Sequence, residues 1–360
     1  MKKRVLSFLT AAVMTTAMIL SGCSGSQTAA TTAAPASAET KAETTEAAKT
    51  EAATTTAAPA EKKEIVVGFS QVGAESDWRT ANTESMKSTF TEANGYKLIF
   101  DDAQQKQENQ LKAVRNFIQQ DVDYIVIAPV TETGWDTVLQ EAKDAGIPVI
   151  IVDRMINVSD DSLYTAWVGS NFLQEGYDAV TWLDEYLKKN NRADDDINIV
   201  TLQGTIGSSA QIGRTNGVEE KMKDHPKWKM LERQTGEFTQ AKGQEVMESF
   251  LKTYDDIDVV IAENDNMAFG AIDAIKAAGK TCGPKGDITI ISFDAVAAAF
   301  DSMIAGDMNV SVECNPLHGP RVAEIIQKLE KGEKVDKIAY VKEGVFPADT
   351  AEAEKPKRQY

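Results

Sequence analysis

The stretch GIPVIIVDR, Gly146 to Arg154, ends an apolar run in a carboxylate followed by a guanidinium. Ionised Asp153 only accepts hydrogen bonds, whereas Arg154 donates up to five in a rigid fork. Side by side they can grip a polyhydroxylated molecule, or they can close the strand as a structural ion pair. Two residues do not decide between these readings. The run before them, Val149 to Val152, is unbroken and β-branched, as expected of a parallel strand buried on both faces. In open α/β sheets the carboxyl ends of such strands border the ligand crevice.

Other chemistry-bearing residues fall at comparable places. DVVIAEND ends in Asn264 and Asp265, and ITIISFDA brings Asp294 to a strand end. The loop Ser76 to Arg79 supplies Trp78 and Arg79, and GEFTQAKG supplies Phe238. Flat aromatic faces stack on the apolar side of a sugar ring, while Asp, Asn and Arg satisfy its hydroxyls. Taken singly, each aromatic reads as core. Beside charges in strand-edge loops, they read as the lining of a cleft.

The elements that must hold these residues alternate along the chain. The first half has strand-like runs at Ile65 to Ser70, Tyr96 to Ala103, Tyr124 to Val130, Val149 to Arg154 and Tyr164 to Ser170. Amphipathic stretches separate them at Trp78 to Asn94, Gln107 to Gln120 and Trp135 to Ala145, the last stopped by Gly146 and Pro148. The second half repeats the plan with runs at Ile197 to Gly204, Trp228 to Gly236, Asp258 to Asp265, Ile288 to Ala295 and Asn309 to Cys314. Helices are expected there at Gln244 to Leu251 and Met267 to Ala278. The fold class that follows is α/β, with two similar doubly wound domains, each on a parallel sheet of about five strands. Facing each other, such domains turn their polar strand ends into a shared cleft.

The amino-terminal region reads differently. Met1 to Arg4 is basic, Val5 to Leu20 is mostly apolar, and Leu20-Ser21-Gly22-Cys23 follows. This resembles a bacterial lipoprotein signal at residues 1–22, which implies cleavage before Cys23 and lipidation of that residue. The competing reading is an ordinary secretory signal with an incidental cysteine. Residues 23–63 are rich in Ala, Thr and Glu with no aromatic, the composition of a disordered tether on the order of 40 residues long. A net charge of -17 argues against nucleic acid or an anionic membrane surface as partner. Cys282 and Cys314 read as plain small residues, and two histidines, His225 and His318, are too few for a His-based metal site. Neither a cofactor nor a metal is expected.

From Glu64 onward the chain resembles the periplasmic sugar-binding proteins of ABC importers, of the ribose-binding type, and within them the galactofuranose-binding members. The resemblance is carried by VGFSQVGAESDWR, DAQQKQENQLKAVRNFIQQDVD, IAPVTETGW, IPVIIVDR, LQGTIGSSAQIGR, GEFTQAKGQEVMESF and AENDNMAFGAI. It implies a periplasmic binding protein type I fold, with a three-segment hinge near Gly169-Ser170, Glu313-Cys314 and Val345. The implied lobes are residues 64–169 plus 314–345, and 170–313 plus 346–360. The implied sugar-binding residues are Trp78, Arg79, Asp153, Arg154, Arg214, Phe238, Asn264, Asp294 and Glu313. Glu313 stands where the ribose-binding pattern has Gln, Ala128 where it has Asn, and Arg79 replaces a second aromatic. These departures favour a more polar, differently shaped ligand than ribose.

The function that follows is a monomeric, lipid-anchored receptor on the outer face of the cell membrane. It captures galactofuranose or a similar monosaccharide and delivers it to an ABC permease and its ATPase. A receptor feeding a chemotaxis or two-component signalling partner is the alternative on the same fold. A sugar-responsive repressor would need a basic helix-turn-helix, and this chain has an export signal and an acidic tether instead. An enzyme is disfavoured because no G-x-S-x-G, H-E-x-x-H or phosphate-binding Gly loop occurs. Asp153 beside Arg154 should also stay ionised, which suits binding better than proton transfer.

Overall fold

The computed structural model describes residues 64–360; the expected signal, Cys23 and the tether lie outside them. In chain order the first half contains β1 (Ile65–Gln71), α1 (Asp77–Thr89), β2 (Tyr96–Asp102), α2 (Gln107–Gln119), β3 (Tyr124–Ile127), α3 (Asp136–Asp144), β4 (Val149–Val152) and β5 (Ala166–Gly169). The second half contains α4 (Phe172–Lys189), β6 (Ile197–Gln203), α5 (Ser209–Met222), β7 (Trp228–Thr235), α6 (Gln240–Thr253), β8 (Val259–Ala262), α7 (Asp265–Ala277), β9 (Thr289–Asp294), α8 (Ala297–Ala305) and β10 (Val310–Glu313). Then come α9 (Gly319–Glu330), β11 (Ile338–Tyr340), β12 (Val345–Pro347) and the short α10 (Ala351–Glu354).

Two sheets result, ordered β2-β1-β3-β4-β5-β11 and β7-β6-β8-β9-β10-β12. Both have the doubly wound order that reverses beside its first strand, where α/β sheets bind ligands. Each sheet has six strands rather than about five. The additions, β11 and β12, are only three residues long. They sit at sheet edges, so neither carries the apolar run that marks a buried strand.

Side-chain alternation builds the cores. In the first sheet Val126, Ile150 and Val152 face Met86 of α1 and Val322 and Ile326 of α9. Ile125, Ile127, Val149 and Ile151 face Val114 and Phe117 of α2 and Leu139 of α3. In the second, Val200, Leu202, Val260 and Ile290 pack with α6 and α7, while Ile199, Val259, Ile261 and Phe293 pack with α4. Both faces of both sheets are covered, as a parallel sheet requires.

Three segments link the sheets. One follows β5, and the second follows β10 into α9, whose Val322 and Ile326 lie in the first sheet's core. The third spans residues 341–344: Val341 N–H donates to Gly169 O at 2.9 Å, while Gly344 N–H donates to Glu313 Oε2 at 3.1 Å. Val345 itself already pairs with Val312 of the second sheet. The register levels the strand ends of the first lobe: Ser70 pairs with Ile127, Ile127 with Ile151, and Val152 with Val168. Loops leaving these ends therefore meet over one edge.

Candidate binding cleft

The helix α1 begins where the Ser76 hydroxyl accepts the Arg79 backbone N–H at 3.1 Å, an N-cap that puts Trp78 and Arg79 in the first turn at the sheet edge. The Arg79 guanidinium is shared three ways. It donates to Glu75 Oε1 at 3.0 Å, Asp153 Oδ2 at 2.7 Å and Gln71 Oε1 at 3.2 Å. Arg154 is held more loosely, donating to Val130 O at 3.0 Å, with Glu75 Oε1 at 3.8 Å and Asp153 Oδ2 at 4.0 Å. Both guanidiniums and the Asp153 carboxylate are buried.

These charges shape one another. Burial pushes Asp153 upward, but the Arg79 and Arg154 guanidiniums outweigh it and hold its pKa below the usual carboxylate value. Arg154 is depressed to about 10, by burial first and then by the like charge of Arg79. It is thus an under-compensated cation whose fork has N–H groups to spare.

The second lobe supplies the opposite wall. Arg214 of α5 donates from Nε to Glu175 Oε2 at 2.6 Å and from Nη1 to Glu263 O, with Nη2 3.4 Å from Asp294 Oδ1. Burial pushes Asp294 well above the carboxylate range, and Arg214 offsets this only in part. Asn264 caps α7 by accepting the Met267 N–H at 2.9 Å, and its Nδ2 donates to Phe238 O at 3.0 Å. Asp153 (φ 62°), Phe238 (φ 62°) and Asp294 (φ 108°) all adopt positive φ without being glycine. Such conformations cost of order 1–3 kcal/mol each and persist where the surroundings fix them, commonly at functional sites. Gly204 is required beside Phe238, because a Cβ there would lie 1.9 Å from the ring.

The lobes are in direct contact across the cleft. Asp77 N–H donates to Asn266 Oδ1 at 3.0 Å, Met155 N–H to Ser209 Oγ at 2.8 Å, and Glu132 N–H to Gly207 O at 3.0 Å, while Trp78 Nε1 donates to Cys314 O at the hinge at 2.6 Å. The Arg154 guanidinium lies 5.1 Å from the Phe238 ring centre. Between the lobes is a narrow cavity lined from both sides.

Of the nine residues singled out, Trp78, Arg79, Asp153 and Arg154 line this cavity from one lobe, and Arg214, Phe238, Asn264 and Asp294 from the other. Glu313 does not, and its expected place in the site is corrected. Its carboxylate turns away to Arg358 Nη1 at 3.1 Å, Tyr360 Oη at 2.9 Å and Gly344 N at 3.1 Å. Successive side chains along an extended segment point to opposite sides. With Glu313 turned toward the carboxyl-terminal segment, it is Cys314 that reaches the cavity. Sequence reasoning also missed Glu75, Ser76, Phe172 and Ala210 on the wall. The signal for Glu75 was its i, i+4 spacing to Arg79, one residue ahead of the loop already singled out; Ala210 carried none.

Among the described residues, one set has the side-chain types of a metal site. Ligand atoms of Glu175, Cys314 and Glu343 lie within 4.8 Å of one another. Arg214 already occupies one Glu175 oxygen, while the Ser170 hydroxyl and Asn315 N–H both donate to Glu343 Oε1. The set is a hydrogen-bonded cluster at the hinge. No helix among the described residues is long and apolar enough to cross a membrane.

Two lobes, a shared cleft and flat rings among alternating donors and acceptors fit capture of a small polar ring. Residues 67–334 match the periplasmic binding protein domain family. This chain belongs to that family. It is a binding protein, not an enzyme. The galactofuranose-binding protein YtfQ of Escherichia coli strain K12 is 44% identical over 299 residues, covering 82% of this chain and 92% of that one. A solved Mycobacterium smegmatis protein in complex with β-D-fucofuranose is 45% identical, with a TM-score of 0.78 over 82% of this chain and 95% of that one. The periplasmic component of the arabinose ABC transporter of Shewanella sp. ANA-3, bound to α- and β-L-arabinofuranose, is 47% identical with a TM-score of 0.76, covering 82% and 95%. This periplasmic binding protein shares their type I fold of two parallel-sheet α/β lobes.

Proposed function

We propose that this protein captures a monosaccharide in its five-membered-ring form, galactofuranose or a similar sugar, and delivers it to an ABC permease. One observation carries the reading: the cavity is walled by both lobes with Trp78, Phe238, three arginines and two aspartates. Flat rings cover the apolar side of a sugar, while guanidiniums and carboxyl groups meet its hydroxyls. The furanose form is favoured by the relatives, whose bound or named ligands are galactofuranose, fucofuranose and arabinofuranose. Delivery to a permease is favoured by the Shewanella relative, a component of an ABC transporter.

The test is thermal unfolding with D-galactose, D-fucose, L-arabinose and two arabinose analogues. One analogue lacks O5 and closes only as furanose; the other lacks O4 and closes only as pyranose. A sugar held at a hundred times its Kd should add about 2.7 kcal/mol of stability and raise the melting temperature. The furanose-only analogue should act and the pyranose-only one should not. The reverse order sinks the ring-form assignment, and no shift with any of them sinks the sugar reading.

Cys23 is proposed to carry a lipid anchor, on the strength of the basic, apolar and Leu-Ser-Gly-Cys order before it. Cys23→Ser should move the protein from the membrane pellet to the soluble extracytoplasmic fraction. Retention in the pellet after a high-salt wash would contradict the anchor.

A further inference from the structure

All three hinge segments meet at one carboxyl group. Glu343, in the third, accepts the Ser170 hydroxyl of the first at 2.6 Å and the Asn315 N–H of the second at 2.7 Å, both on Oε1. Glu175, at the start of α4, brings a second carboxyl to the same place, within 4.8 Å of Glu343 and the Cys314 thiol. Glu175 is buried, and its Oε1 has no hydrogen-bond partner. Two carboxylates so placed would repel each other across a water-poor gap unless one carries a proton.

The charges around the pair decide which one. Glu175 faces Arg214 of α5, bonded at 2.6 Å, as well as Asp153 at the end of β4, Asp294 at the end of β9, the Cys314 thiol and Asp178 on its own helix. Glu343 faces Glu175, Glu313 of β10 and the Cys314 thiol, with no cation among them. Burial raises Glu175 as well, and Arg214 offsets this only in part; Glu343, with no such cation, is the better holder of the one proton the pair shares. Burial, then the Glu175 charge, pushes Glu343 up to about 8.

We propose that closure of the cleft takes up a proton at the hinge, carried by Glu343 and offered to the unpartnered oxygen of Glu175. The shared proton ties the third crossing to the first helix of the second lobe. Opening rotates the three crossings apart, admits water and lets Glu343 ionise. A carboxyl raised in the closed state favours that state fully below its ordinary pKa of ~4.3, and the advantage is lost as pH rises through about 8. Glu263 and Asp265 are also raised, to about 7 and about 6, but they are held within the second lobe and do not report on the hinge.

The inference rests on the lobes opening and closing around a ligand, and its first test needs none. Small-angle scattering of the ligand-free protein at pH 5.5 and 8.5 should give a larger radius of gyration at the higher pH. Glu343→Gln keeps the acceptor for Ser170 and Asn315 and supplies a permanent N–H toward Glu175, so it should hold the smaller radius at both. Glu343→Ser, which removes the bridge, should give the larger radius at both. Radii that do not change with pH, or that change equally in Glu343→Gln, overturn the proposal. Calorimetry with L-arabinose then separates it from the sugar reading. Affinity should fall by up to tenfold per pH unit between pH 6 and 8, with proton uptake that Glu343→Gln abolishes. L-arabinose binding equally tightly at both pH values also overturns it. No binding of L-arabinose, beside radii that behave as expected, supports the hinge and counts against that sugar alone.

Discussion

Arg154→Ala is expected to weaken ligand binding more than a hundredfold while leaving the melting temperature near that of the parent protein. The two effects separate because Arg154 gives the protein one short hydrogen bond, to Val130 O, and lies 3.8–4.0 Å from its nearest carboxylates. Its remaining N–H groups adjoin the cavity. Charge-assisted hydrogen bonds are worth about 1.5–3 kcal/mol each, so losing two removes roughly 3 kcal/mol or more of binding. Stability changes little, since the variant also relieves the repulsion between Arg154 and Arg79 that depresses Arg154 to about 10. Calorimetric titration and a thermal melt on the same preparation read both quantities. Affinity within a few-fold of the parent would assign Arg154 to structure and remove it from the binding site.

Arg214→Ala should behave differently, losing both binding and stability. Arg214 is buried against Glu175 at 2.6 Å, Asp294 at 3.4 Å and the Glu263 carbonyl. Removing it strands Glu175 as a buried charge with Glu343 as its neighbour, a loss of roughly 3–5 kcal/mol. Against a total stability of about 5–15 kcal/mol, that is a substantial fraction. Arg214→Lys should recover little, because one ammonium cannot reach three partners set at the angles of a guanidinium fork. Denaturant unfolding measures the loss, and a midpoint within ~0.3 M of the parent in either variant would mean that Glu175 finds a counter-charge elsewhere. The contrast between Arg154 and Arg214 is the sharper result. Both are buried and line one cavity, yet Arg154 is expected to be dispensable for folding and Arg214 not.

The two-lobed α/β architecture is legible in the chain's local patterns. Continuous β-branched runs and 3.6-residue amphipathic stretches are local signals, set by burial on two faces of a strand and one face of a helix. The sequence also placed Asp153, Arg154, Asn264 and Asp294 at strand ends, because each follows such a run directly. Residue-by-residue likeness to related chains added Arg214, whose position in α5 has no signal of its own.

Which side chains turn into the cavity depends on contacts that exist only once the chain is folded. Glu313 and Cys314 are neighbours in sequence, and the contact of Glu313 with Arg358 and Tyr360 sends one away and the other in. The edge strands β11 and β12 were equally hidden, since three-residue segments carry no periodicity. The hinge cluster was the least legible feature. Ser170, Glu175, Asn315 and Glu343 come from segments up to 173 residues apart. Nothing local marks Glu343 in its polar loop. Its proton affinity is set by burial and by the charges that three converging crossings bring around it.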